Sequence, residues 1–260
     1  MRVLAGPFVA LFLTAAFADA EAPFYSSDSI VNSADNQPGS LAPNTLVTIY
    51  GKNLAYGTRA LTADDVRGGT LPTVLPGTGA RVLIGNLGAN LIYVSPTQIN
   101  FLVPPILLPG TVTVYVVVDG LAGPAAKVQL ARVAPAFFQL DAQTAIASHA
   151  NGDLVTPQAP AKPGETIVLY ATGLGQTRPP VDYGLLPTAA ALLADLSTLV
   201  VTLDGAAVDP SAILYAGVCP GYGGLYQVNL TLPASVGSNP QVTIGFADLF
   251  SPAVSIPVEP

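Results

Sequence analysis

The stretch "LVTIYGKNLA", residues 46–55, returns later in the chain as "TIVLYATGLG", residues 166–175. Tyr50 then aligns with Tyr170 and Leu54 with Leu174, and each run follows a Pro-bearing turn, "LAPNT" before the first and "AKPGE" before the second. Both runs alternate apolar and polar residues with the period of two that sends successive strand side chains to opposite faces. The correspondence continues in order. "TLPT" (70–73) pairs with "LLPT" (185–188), and "ARVLIGN" from Ala80 with "LVVTLDG" from Leu199. "LIYVSP" from Leu91 pairs with "ILYAGVCP" from Ile213, and "TQINFLVP" from Thr97 with "YQVNLTLP" from Tyr226. A fixed order of matching segments is the mark of an internal repeat. The chain therefore reads as two copies of one domain of ordinary size. The junction falls near "RVAPAFFQL", with Pro135 as linker and Phe137 and Phe138 expected to pack between the domains.

Bulk composition agrees. Half of the 260 residues are hydrophobic and 10% are charged, too apolar for disorder. Gly and Pro, 25 each, punctuate short β-branched runs, as in an all-β fold. Residues 1–20 read as a cleaved signal peptide: Arg2, an apolar run over 3–17, and "ADA" at 18–20. The apolar run is short for a membrane span of about 20 residues. This divides the chain into a signal peptide (1–20), a first domain (21–135) and a second (136–260), with no integral membrane segment expected in the mature chain. The address implied is periplasmic, cell-surface or extracellular. Residues 21–135 carry six basic and six acidic side chains, residues 136–260 two basic and nine acidic. The net charge of −7 thus belongs to the second half, and no basic face is available for nucleic acid.

Each copy reads as about seven short strands. Hairpin turns are signalled at "GNLG", "LDGA", "VDGLAG" and "FADLFS". A connection of about 25 residues follows the first strand of each copy, over 56–78 and 176–198, long enough to suggest a functional role. In the second copy, "PTAAALLADLS" (187–197) is expected to form a short helix. The fold class expected is all-β: two tandem immunoglobulin-like sandwiches, without the Cys…Trp…Cys pattern of antibody domains.

"PNTLVTIYGKNLA" resembles the opening of IPT/TIG-type immunoglobulin-like domains, whose pattern is G-x-x-V-T-I-x-G-x-N-L. Asn44 stands where that pattern has Gly; the second copy has Ala171 and Gly173 for the usual Gly and Asn. With "LIYVSPTQINFLVP", "GETIVLYATGLG" and "AGVCPGYGGLYQVNLTLP" in that order, residues 29–258 are similar to a Solibacter-type C-terminal domain family found on exported bacterial proteins. The resemblance implies tandem immunoglobulin-like domains in a cell-envelope or extracellular setting, and it brings no catalytic residues.

The residues themselves offer no catalytic constellation. The single histidine, His149, has Ser148 and Asp153 on the same local stretch, but no G-x-S-x-G elbow accompanies them. One His and one Cys, Cys219, do not make a zinc site. Asp64, Asp65 and Asp153 are the best calcium ligands, yet they read as solvated turns. Glu21 and Glu259 lie at the mature termini and Glu165 in a turn, so no carboxylate pair stands out. "GLGQT" lacks the Lys of a phosphate loop. Cys219 aligns with Ser95 and has no cationic neighbour in sequence, which makes it a small packing residue. No enzyme activity, cofactor or metal is expected; a hydrolase centred on His149 is the weakest alternative.

Repetition separates structural positions from functional ones. Tyr50/Tyr170, Tyr93/Tyr215, Gln98/Gln227 and Asn100/Asn229 occur in both copies and read as a fold signature. Gln98 and Asn100 share one strand face, with Ile99, Phe101 and Val103 on the other; the amides are expected to satisfy nearby loop backbone. Tyr56, Tyr183 and Tyr222 lie in loops without clear counterparts and are the candidate ligand contacts. The function expected is a non-enzymatic module binding a protein or carbohydrate at the cell surface. The alternative is a structural spacer or assembly domain.

Overall fold

A computed structural model describes residues 21–259, so the expected signal peptide lies outside the described residues. The described chain is all-β, with only short 3-10 turns besides strands. Four antiparallel sheets form two pairs. In the first pair, one sheet runs Ile30–Asn32, Leu46–Tyr50, Gln98–Leu102, Asn90–Val94, Arg59–Ala60, and the other Ala126–Leu130, Gly110–Val118, Ala80–Ile84, Leu87–Gly88. In the second pair, Ala136–Phe137 and Ala147–His149 both border Thr166–Thr172, followed by Tyr226–Thr231, Ile213–Val218, Ala191–Leu193 and Thr177–Arg178. The facing sheet is built on Leu199–Leu203 and Gln241–Phe246.

Each pair encloses its own core. Val47, Ile49, Ile99 and Phe101 from one sheet meet Val82, Val114 and Val116 from the other. In the second pair Ile167, Leu169, Val228 and Leu230 meet Val201, Val242 and Ile244. Membership changes from the first core to the second between Leu130 and Val133. Phe137 is buried within the second core rather than between the domains. It pairs with Ala171 on the edge of that core's larger sheet, which turns its ring inward.

The two copies agree down to register. Tyr50 faces Gln98 as Tyr170 faces Gln227, and Thr48 faces Asn100 as Val168 faces Asn229. On the other side of the same strands, Tyr93 faces Asn100 and Tyr215 faces Asn229. A β-bulge adds one residue just before each of these tyrosines, Ile92 in the first copy and Leu214 in the second. The repeated signature is thus one cluster on one sheet face, built twice. Its amides bond each other rather than loop backbone. Gln98 Nε2 donates to Asn100 Oδ1 at 2.8 Å, and Gln227 Nε2 to Asn229 Oδ1 at 3.3 Å. Thr48 Oγ1 also donates to Asn100 Oδ1, at 3.3 Å. Two-residue spacing on a strand brings the side chains together before either can reach a loop.

Residues 187–197 do not form the expected helix. Ala191–Leu193 is a strand paired with Ile213–Val218, because Ala191 and Leu193 alternate inward while Leu192 points to solvent. Sheet pairing has overridden helix-favouring composition.

Phe101→Ala, which empties a fully buried ring site, is expected to cost about 3–5 kcal/mol. Asn100→Ala, which removes a half-buried acceptor, is expected to cost about 1 kcal/mol. Urea unfolding of both variants checks the ranking; equal losses would show that the amide cluster matters more to the sheet than its hydrogen bonds imply.

Candidate functional site

Several residues that differ between the copies meet where the two sandwiches join. Asn44 sits in the left-handed backbone region, φ 63°, which Asn tolerates better than other residues with a side chain. Its counterpart in the second copy is Gly164. Asn44 is buried, and its Nδ2 donates across the junction to Tyr226 Oη at 3.0 Å. Tyr226, whose counterpart is Thr97, is fully buried and its hydroxyl donates to the Gly175 carbonyl. Burial pushes this phenol well above its ordinary value, only partly opposed by the Asn44 hydrogen bond. Thr172, the counterpart of Lys52, accepts from the Leu46 N–H at 3.0 Å and donates to the Gly224 carbonyl at 2.7 Å. Gly173 follows, φ 75°, and a Cβ there would lie 2.0 Å from the Ala134 carbonyl oxygen. At Gly173 the backbones therefore pack too closely to admit a side chain.

The two long connections also join each other. Thr70 bridges to Leu185. The Leu71 N–H donates to the Gly184 carbonyl at 2.7 Å and the Leu186 N–H to the Gly69 carbonyl at 2.9 Å. The Tyr183 hydroxyl donates to the Gly88 carbonyl of the first sandwich, and burial raises its phenol above the ordinary value. Asn90 is buried beside this contact; its Nδ2 donates to the Leu71 carbonyl at 2.8 Å while its Oδ1 has no partner. Of the three candidate tyrosines, Tyr183 is thus engaged across the junction. Tyr222 is 60% exposed, and the next residue, Gly223, packs near Leu71 and Leu102. Tyr56 is 57% exposed and lies over Gly79, at the opposite end of strand Ala80–Ile84 from Tyr183. The three do not converge on one surface.

Two clefts flank the junction and share Pro43 and Gln176. One, of about 230 Å³, has Asn44 and Tyr226 among its lining, with Pro105, Ile106, Val181 and Asp182. The other, of about 320 Å³, is lined by Leu107, Leu108, Arg132, Arg178 and Asp195. Between them the loop "PPILLP" exposes Ile106 (57%) and Leu108 (75%). A hollow of about 610 Å³ on the second sandwich is larger, but its carboxylates are occupied: Asp204 accepts from the Gln241 N–H and Asp209 from the Ser211 N–H.

The sequence's other candidates have structural partners. Ser148 and His149 neighbour each other in a strand, but Ser148 Oγ pairs with the Tyr170 hydroxyl at 3.2 Å, and His149 Nδ1 pairs with Glu165 Oε1 at 2.5 Å. His149 Nε2 faces the Ala159 carbonyl at 3.1 Å. Acceptors at both nitrogens favour the imidazolium form. The Glu165 hydrogen bond raises His149 above its ordinary value of 6.5, against burial. Burial acts to raise Glu165, yet the His149 hydrogen bond and the Lys162 N–H bring it below its ordinary 4.5. Asp65 accepts from Thr62 and from the Arg59 guanidinium at 2.8 Å, and these hydrogen bonds lower its pKa to about 2. Asp153 closes a turn with Asn151. Cys219 is a free, half-buried thiol that burial pushes above its ordinary value. No group of three or more His, Cys, Asp or Glu gathers at one place among the described residues. No described helix is long and apolar enough to cross a membrane.

Residues 29–131 match the IPT/TIG domain. The first sandwich is therefore an immunoglobulin-like domain of that class. No curated protein matches the sequence significantly. Among solved structures, the chain is similar to a surface glycan-binding protein, SGBP-B of the Bacteroides ovatus mixed-linkage glucan utilisation locus, in complex with a mixed-linkage heptasaccharide. The identity is 12% and the TM-score 0.34, over 85% of this chain and 43% of that one. It is also similar to the surface glycan-binding protein PbSGBP-B of Prevotella bryantii, at 10% identity and TM-score 0.27 over 90% and 41%. Domains 5–6 of the S-layer protein SbsC align at 11% identity and TM-score 0.27 over 91% and 98%. The chain spans less than half the length of the two glycan-binding proteins, and likenesses this low assign it no ligand.

Two outcomes follow from the geometry. Tyr226→Phe leaves Asn44 Nδ2 and the Gly175 carbonyl without this partner in a buried setting, at a cost of about 1–3 kcal/mol, measurable by urea unfolding; an unchanged midpoint would show that the bonds do not hold the junction. The His149–Glu165 pair should make stability depend on pH with a definite sign. The raised His149 contributes fully below pH 6.5 and loses its contribution as pH rises through its folded pKa. The lowered Glu165 contributes above 4.5 and loses it as pH falls through its folded pKa. The pair's contribution is therefore greatest between those values, and His149→Gln should flatten this part of the melting-temperature profile.

Proposed function

We propose that the chain is an exported bacterial module without catalytic activity, whose two immunoglobulin-like domains, 21–135 and 136–260, form one rigid body that binds a protein or a glycan at the cell envelope or outside the cell. The observation that carries this reading is the junction. Residues without counterparts in the other copy fix the domains against each other there and leave concave, partly apolar clefts beside the exposed Ile106 and Leu108. Domain interfaces are favoured places for binding sites, and a prebuilt surface spends little entropy on ordering. Tyr222, exposed beside the same junction, adds an amphipathic contact. The export signal expected over 1–20 and the fuller resemblance to the Solibacter-type domains support the setting; the IPT/TIG match supports the architecture.

The same rigidity suits a second reading, a spacer or assembly domain in which Ile106 and Leu108 meet another copy. Residues 21–260, purified, would be tested against a glycan array and a panel of envelope proteins, with sedimentation alongside. Saturable binding that falls at least about tenfold in Ile106→Asp/Leu108→Asp is expected. Self-association abolished by the same pair would move the assignment to assembly. A strict monomer that binds nothing in either panel would overturn both.

A further inference from the structure

The sheet built on Leu46–Tyr50 and Gln98–Leu102 carries, on its outer face, a chain of hydrogen bonds that ends on open groups. Tyr50 faces Gln98, and Thr48 faces Asn100, which faces Tyr93 on the next strand. These side chains lie opposite Val47, Ile49, Ile99 and Phe101, which line the core. Ser33 Oγ pairs with Thr48 Oγ1 at 2.8 Å, Thr48 Oγ1 donates to Asn100 Oδ1 at 3.3 Å, and Gln98 Nε2 donates to the same oxygen at 2.8 Å. Two donors on Asn100 Oδ1 fix which way its amide points. Asn100 Nδ2, Gln98 Oε1 and the Tyr93 hydroxyl make no hydrogen bond with another described residue, and all three residues are partly exposed. The Tyr50 hydroxyl is anchored on Asn36 Oδ1 at 3.0 Å, with 41% of the residue exposed. One row further along the strands, Leu46 and Leu102 are covered by the second sandwich. A Cβ at Gly224 would lie 2.4 Å from Leu102 Cδ1 and 2.9 Å from Leu46 Cγ. The same loop carries Tyr222, 60% exposed. The other domain therefore bounds this platform two strand residues, about 7 Å, from Asn100.

The chemistry of the face selects its occupant. Its paired positions Thr48, Tyr50, Gln98, Asn100, Tyr93 and Ala60 carry no charge, so nothing on it balances an ionic ligand. Leu46–Tyr50, Gln98–Leu102 and Asn90–Val94 each lie between two neighbours in the sheet, so an extended peptide has no free edge to join there. What remains is a fixed donor, an acceptor and a hydroxyl beside two aromatic rings. That set matches a molecule whose polar groups are hydroxyls, each donor and acceptor at once, and whose ring faces are apolar C–H surface. Resting on the binding-module reading above, we infer that this face is a site for an uncharged pyranose segment of a glycan. The rings of Tyr50 and Tyr93 pack against the sugar's C–H faces. Asn100 Nδ2 donates to its hydroxyls, Gln98 Oε1 accepts from them, and Tyr222 borders the end nearest the second sandwich. The site is separate from the junction clefts, whose walls contain none of these residues. The second copy keeps the amide pair but differs around it. Val168 stands in place of Thr48, the Tyr170 hydroxyl pairs with the buried Ser148, and the Tyr215 hydroxyl donates to the Val218 carbonyl at 2.8 Å. With its phenols spent and its amide less firmly held, the second face is the built-in control.

The test is titration of ¹⁵N-labelled 21–260 with cellopentaose, laminaripentaose, maltopentaose and the acidic pentagalacturonate. It is read on the backbone amides of Thr48, Tyr50 and Tyr93 and on the side-chain amides of Gln98 and Asn100. The expected result is saturable shifts at these groups with at least one neutral pentasaccharide, at least about tenfold tighter than with pentagalacturonate. Tyr50→Ala and Asn100→Asp are each expected to weaken that binding about tenfold, through one lost ring and one lost hydrogen bond to the ligand. Asn100→Asp keeps the acceptor that Thr48 and Gln98 use, so a spectrum unchanged elsewhere separates a lost contact from a lost fold. Asn229→Asp, its counterpart on the second face, is expected to leave affinity unchanged. The inference is overturned if no neutral pentasaccharide moves these groups, if pentagalacturonate binds as tightly, or if Asn229→Asp weakens binding as much as Asn100→Asp. A glycan that shifts Gln176 and Thr177 instead, and is lost in Ile106→Asp/Leu108→Asp, sinks the sheet-face site and leaves the binding-module reading standing. If the array and the protein panel also find nothing, both fail.

Discussion

The hydrogen bond from Asn44 to Tyr226 is the constraint on which the arrangement of the two sandwiches depends. Both side chains are buried and both are unmatched in the other copy; Asn44 sits in the turn that precedes strand Leu46–Tyr50 of the first core, and Tyr226 begins strand Tyr226–Thr231 of the second. A buried polar pair of this kind is costly unless every member finds a partner. Tyr226 meets that condition by passing its own proton to the Gly175 carbonyl. Thr172 does the same nearby, accepting from one domain and donating within the other. Apolar contact alone would let the sandwiches slide; these directional bonds set one mutual orientation.

Around that joint, the duplicated architecture divides labour between what is repeated and what is not. The repeated Tyr, Gln and Asn residues form the same cluster on the same sheet face in both copies, with the same bulge beside it. Three unrepeated residues, Asn44, Thr172 and Tyr226, supply side-chain hydrogen bonds that close the junction. The long connections contribute to both roles. Their inner parts zip together through Thr70, Leu71, Gly184 and Leu186, while Pro180, Val181 and Asp182 are left to wall a cleft.

Much of this fold was legible in the chain. Alternation, turn chemistry and the repeat led to paired sandwiches, because strand faces are written locally with a period of two. The helix expected over 187–197 failed because Ala191 and Leu193 are claimed by a neighbouring sheet, a non-local effect that local composition does not carry. The amide partners were misplaced for the opposite reason: Gln98 and Asn100 are near enough to satisfy each other. The junction was visible in principle. Asn44 against Gly164, Tyr226 against Thr97 and Thr172 against Lys52 are all differences between aligned copies. Two of them lie at or beside positions where the chain departs from the IPT/TIG pattern. What the sequence does not carry is that these separate departures touch, since their contacts span more than a hundred residues. Tyr183 shows the same limit: it reads as a display residue and is spent on Gly88.

The bonds across the junction predict that the two sandwiches unfold as one cooperative body. Scanning calorimetry of residues 21–260 tests it most directly. A single transition whose calorimetric and van't Hoff enthalpies agree is the predicted result, with Tyr226→Phe splitting it into two. Two separate transitions in the unaltered protein would contradict the claim, because they would mean that each sandwich unfolds without regard to the other.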